Sequence, residues 1–95
     1  MILSASIECM IYNSRSLKEK RSVLQRIITR IKDRFNIAVA EVDYQNVWQR
    51  TKLHLVTVSS SKVAAEKEMQ KALAMIDSFP EIERTCGQSS HYKRR

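Results

Sequence analysis

Between Ser16 and Phe35 the chain carries Lys18, Lys20, Arg21, Arg26, Arg30, Lys32 and Arg34 against Glu19 and Asp33, a net +5 out of a formal +7 for all 95 residues. Side chains of this type do one kind of chemistry without help: they neutralise phosphate or carboxylate anions and displace the counterions those anions hold. Arg26, Arg30 and Arg34 recur every fourth residue, where like charges on a helix repel by about 0.2–0.5 kcal/mol per pair. An external anion would relieve that repulsion. The alternative is that long basic side chains lay their methylene stems over the rim of a core and keep their heads in water. A second group lies in "AEVDYQNVWQRTK", residues 40 to 52, which brings together Tyr44, Arg50 and the single tryptophan, Trp48. Tyr44 and Trp48 are either platforms for unstacked bases beside Arg50 or apolar plugs at the end of a sheet or in a subunit contact.

Other chemistries have little to work with. Cys9 and Cys86 lie far apart, no CxxC or Cys/His pairing with zinc spacing occurs, and His54 has no second ligand at a suggestive distance, so neither a disulfide framework nor a metal site is expected. One glycine cannot build a phosphate-cradling loop, and no nucleophile sits beside a base. No catalytic residue and no cofactor are expected. Ser4, Ser6 and Glu8 interrupt the apolar start of the chain, and no stretch approaches the length of a membrane span. The expectation is a cytoplasmic protein with no membrane partner.

The elements that must position these groups follow from periodicity. In "ILSASIECMIY", Leu3, Ala5, Ile7, Cys9 and Ile11 alternate with Ser4, Ser6, Glu8, Met10 and Tyr12, the pattern of a half-buried strand. Ser16 followed by Glu19 is a capping-box pair, and the helix it opens has Leu17, Leu24, Ile27, Ile28, Ile31 and Phe35 on one side. "NIAVAEVD" and "TKLHLVTVS" read as two further strands, and "SSSKVAAEKEMQKALAMIDSF" as a second helix burying Ala65, Met69, Ala72, Leu73 and Ile76. Pro80 closes that helix and "EIERT" supplies a short last strand. The order predicts an α+β, ferredoxin-like βαββαβ domain over residues 1–86, an antiparallel sheet with both helices on one face. Residues 87–95 are expected to be a basic polar tail.

If the two middle strands meet about a tight turn at Asn46 and Val47, Asp43 faces Arg50, Glu41 faces Lys52, Val39 faces His54 and Ile37 faces Val56. Each opposite-charge pair would contribute about 0.2–1 kcal/mol and help to fix the register. Ala38, Ala40 and Val42 with Leu53 and Leu55 then form the core face. Asn-Val is a poor two-residue turn, so a longer loop with Tyr44 and Trp48 at its base is the alternative.

"SLKEKRSVLQRIITRIKDRFNIAVAEVDYQNVWQRTK" together with "VTVSSSK" resembles the YlxP-like family of small bacterial proteins, whose domain carries no assigned function. The most specific parts are Ser16 to Arg21, "RFN" at 34–36, "AEVD" at 40–43 and "WQR" at 48–50. The resemblance spans roughly residues 1–84 and implies the same ferredoxin-like fold. It also implies an association with RNA or the ribosome, since such proteins are encoded among genes for translation initiation and ribosome maturation. The expected function is a non-catalytic factor that contacts structured RNA or a ribosomal subunit through Lys18, Arg21, Arg26, Arg30 and Arg34, with Tyr44, Trp48 and Arg50 as a second group. The alternative is a homodimer or protein-interaction module that uses the open sheet face, where Met10, Tyr12, Val39 and Val56 are expected. Hydrolysis of an acyl phosphate is a third class, with Arg15 placed to bind an anion before the first helix.

Overall fold

The computed structural model describes residues 1–85 and 89–93. Strand β1 (Ile2–Ile11) leads to helix α1 (Leu17–Arg34), then β2 (Ile37–Asp43), β3 (Arg50–Val58), helix α2 (Lys62–Asp77), β4 (Ile82–Arg84) and β5 (Ser89–Lys93). The sheet runs β2-β3-β1-β4 with every pairing antiparallel, and both helices lie on one face, the arrangement of a ferredoxin-like fold. The alternation expected for the first strand holds: Leu3, Ala5, Ile7, Cys9 and Ile11 are buried. They pack with Leu24, Ile27 and Ile31 of α1 and with Ala65, Met69, Ala72, Leu73 and Ile76 of α2. Burial pushes the Cys9 thiol up to about 11, which keeps it protonated inside this core.

The β2–β3 hairpin departs from the expected register by one residue. Ile37 lies opposite Thr57, Ala38 opposite Val56, Val39 opposite Leu55, Ala40 opposite His54 and Glu41 opposite Leu53, with an irregularity between Glu41 and Asp43 that leaves Asp43 opposite Lys52. A slip of one residue exchanges the faces of a strand. Ile37 and Val39 are therefore in the core, while Ala38, Ala40 and Val42 are exposed. Burial decided the matter: two β-branched side chains remove far more apolar surface from water than two alanines, by about 25 cal/mol per Å², and this outweighs two exposed charge pairs. The connection is a six-residue loop rather than a tight turn, with Tyr44 in the left-handed region (φ 61°) and Val47 N–H donating to the Tyr44 carbonyl.

The free edge of β1 carries two short strands in succession. β4 pairs Ile82–Arg84 with Cys9–Ile11, and β5 pairs Ser89–Lys93 with Ile2–Ser6 after the register has advanced by two residues. Ser89–Lys93 fall in the segment expected to be a polar tail. The rest of that segment, including Arg94 and Arg95, and the neighbouring Cys86 lie outside the described residues.

Candidate anion-binding surface

Helix α1 begins where the sequence places it. The Ser16 hydroxyl accepts from Glu19 N–H at 3.1 Å, and the Glu19 carboxylate accepts in return from Arg15 N–H at 2.7 Å, one residue earlier than a standard capping box. Packing of Leu24, Ile27 and Ile31 against the sheet fixes the rotation of the helix and turns Lys18, Arg21, Arg26, Arg30, Lys32 and Arg34 outward, all of them exposed. Lys18, Arg21, Arg30, Lys32 and Arg34 have no ion-pair partner among the described residues.

Along that outer side, Ser22, Gln25, Arg26, Thr29 and Arg30 line a groove of about 450 Å³. Its parts are partly preset. The Arg26 guanidinium is 2.6 Å from the Glu81 carboxylate, the Arg30 guanidinium rests 5.6 Å from the centre of the Phe79 ring, and Gln25 donates to the Thr29 hydroxyl at 3.1 Å. Its own backbone N–H, then the Arg26 guanidinium, hold the Glu81 carboxyl below its usual range. The groove thus offers two guanidiniums and two hydroxyls on one rigid element, a donor set suited to phosphate oxygens.

Lys20 corrects the charge reading of α1. It is only 1% exposed, its Nζ lies 2.9 Å from Glu41 Oε2, and it also donates to the Tyr44 carbonyl. Thr51, fully buried, donates to the same Glu41 oxygen at 2.6 Å. Lys20 therefore clamps the hairpin to α1 and adds nothing to the outward field. A signal was present: Leu17, Lys20, Leu24, Ile27 and Ile31 are spaced three, four, three and four residues apart, so Lys20 interrupts the apolar stripe rather than flanking it. Glu41 is its counterpart on the core-facing side of β2.

Tyr44 and Arg50 are brought together, but on the side of the sheet away from α1. The Arg50 guanidinium stands 4.6 Å above the Tyr44 ring centre and 3.4 Å from the Glu8 carboxylate. A hydrogen bond to Glu8 raises the Tyr44 phenol above its ordinary value of 10.0. Trp48 is 51% exposed in the loop, so it is not a buried plug. The sequence-predicted residues thus fall into two groups separated by the sheet: Lys18, Arg21, Arg26, Arg30 and Arg34 on the outer side of α1, and Tyr44, Trp48 and Arg50 at the hairpin end. His54, expected on a sheet face, is bonded through its ring to the Ser6 hydroxyl at 2.6 Å. Among the described residues, no group of three or more His, Cys, Asp or Glu could hold a metal ion, and no helix is long and apolar enough to cross a membrane.

Comparison with known proteins identifies the family of the chain. The chain is 58% identical over 85 residues to the protein described as "Uncharacterized protein YlxP" from Bacillus subtilis (strain 168), covering 90% of this chain and 92% of that one. Residues 2–88 match the family described as "Protein of unknown function (DUF503)". With a family match over nearly its full length and a relative of that identity, the chain belongs to the DUF503 family.

Proposed function

We propose that this protein is a non-catalytic factor that associates with structured RNA or a ribosomal subunit by binding phosphate through the outer side of α1. The observation that carries the reading is the contrast in what the cations touch. Lys18, Arg21, Lys32 and Arg34 stand exposed with no ion-pair partner among the described residues, and they flank a groove in which Arg30 is steadied by Phe79. Five cations of one helix without an ion-pair partner among the described residues concentrate positive potential where a polyanion reaches it.

The test is direct. Association with a structured RNA, or co-sedimentation with ribosomal particles, should weaken steeply with salt. With about four phosphates neutralised, the fall between 50 and 200 mM salt is on the order of a hundredfold. No binding at low salt, or binding indifferent to salt, defeats the reading. Homodimerisation is the second reading, favoured by Met10, Val42 and Val58, which all stand exposed on the uncovered face of the sheet. Val39, expected there, is in the core. A strict monomer by light scattering at tens of micromolar removes that alternative.

A further inference from the structure

A second cavity adjoins the α1 groove, and the two have opposite chemistry. It encloses about 530 Å³ where the end of β1, the start of α1 and the Pro80–Glu81 turn meet, and it shares Ser22 with the groove. Tyr12, Val23 and Pro80 line it, with Glu19 and Glu81 among its polar residues. Arg26, which lines the groove, is paired at 2.6 Å with Glu81, which lines the cavity. Tyr12 is held in place through its hydroxyl, which donates to Glu83, and the residue is 46% exposed.

We infer that these two cavities together form a nucleotide site, with the phosphate on Arg26 and Arg30 and an unstacked base in the neighbouring cavity beside Tyr12 and Pro80. This rests on the phosphate-binding reading of α1 and extends it. Charge complementarity selects the ligand class: one end must be anionic, and the other must be a flat, partly apolar group that donates hydrogen bonds. A second phosphate is repelled by Glu19 and Glu81, whereas a carboxylate accepts well from the exocyclic amine of cytosine, adenine or guanine. An aromatic wall beside polar acceptors is how single-stranded RNA bases are held. A paired base, stacked in a duplex, does not enter. The site therefore favours unpaired nucleotides, and amino-bearing bases over uracil.

The experiment records amide shifts of the full-length protein at low salt with inorganic phosphate, each ribonucleoside 5′-monophosphate, a single-stranded RNA pentamer and a duplex of equal charge. Phosphate should move only Ser22 to Arg30, while monophosphates and the pentamer should also move Tyr12, Asn13 and Val23. Tyr12→Ala should remove the second set and keep the first. Glu81→Gln should tighten inorganic phosphate roughly twofold to fivefold, the loss of one exposed competing ion pair, and flatten the preference against uridine monophosphate. A pentamer at least tenfold tighter than any mononucleotide assigns the site to RNA, and equal affinities assign it to a free nucleotide. Monophosphates that move only the α1 residues overturn the base cavity and leave the phosphate reading standing. Silence of α1 toward every probe overturns both.

Discussion

The outer side of α1 and the uncovered face of the sheet are the two places where this sequence puts charges and aromatics, and they differ in what those groups already touch. On the sheet face Arg50 is stacked on Tyr44 and paired with Glu8, and His54 is bonded to Ser6. On α1, Lys18, Arg21, Lys32 and Arg34 have no ion-pair partner among the described residues. The difference separates charge that sets geometry from charge that is available to a ligand. It also bears on the proposed RNA contact. A sheet of this topology reads bases when aromatics stand on its central strands, yet β1 and β3 present Ser4, Ser6, Glu8, Arg50, Lys52 and His54 there. With His54 bonded to Ser6 and Arg50 paired with Glu8, the proposed contact is assigned to the helix instead.

The largest effect tests the one α1 cation that faces inward. Lys20→Met leaves Glu41 and the Tyr44 carbonyl without their buried partner and should lower the unfolding free energy by about 3 kcal/mol. Glu41 keeps some access to water, its side chain being 19% exposed, which holds the loss to the lower part of the range for such pairs. The double variant Lys20→Met with Glu41→Leu should recover much of it in urea titrations. RNA affinity of the folded protein should not change. Next in size, Arg21, Arg30 and Arg34 replaced together by Ala should reduce the slope of log K against log salt by about two to three, with the melting temperature nearly unmoved.

Effects on the sheet face are smaller. Arg50→Ala removes a cation–π contact worth about 0.5–1 kcal/mol at an exposed position, which should appear as a slightly lower midpoint of denaturation without loss of RNA affinity. The smallest effect is on the Arg26–Glu81 pair and is read through pH. Glu81 is held below its ordinary value of 4.5 in the folded protein. Its contribution is thus fully present above that value and is lost as pH falls through the lower folded value. Below about pH 5, where phosphate is already a monoanion, further acidification should free Arg26 and give a modest gain in phosphate affinity, and Glu81→Gln should remove that pH dependence.

Much of the fold was legible because burial and periodicity agree along most of the chain. Leu3 to Ile11 could only be a one-sided strand, and Ala65, Met69, Ala72, Leu73 and Ile76 could only be the inner side of a helix. The hairpin was harder because two patterns competed in one segment. Charges at 41, 43, 50 and 52 pair well in a tight-turn register, but Ile37 and Val39 bury more surface one residue away, and the loop from Tyr44 to Gln49 accommodates the difference. The split edge along β1 was hidden for another reason. Ser89–Lys93 pair through backbone groups that any residue has, so their polar side chains gave no sign of a strand. For the candidate site, the cations of α1 were visible at once. Glu81, Phe79 and Tyr12, which shape the two cavities, are far away in sequence and come to α1 only through the fold.

One measurement decides between the two surfaces. Binding of a structured RNA, or of ribosomal particles, is followed across a salt series for two triple variants, Arg21, Arg30 and Arg34 to Ala, and Tyr44, Trp48 and Arg50 to Ala. The account predicts that the first weakens binding and flattens its salt dependence while the second leaves both close to the unaltered protein. The reverse pattern, with the helix variant binding normally and the hairpin variant losing affinity, would contradict it.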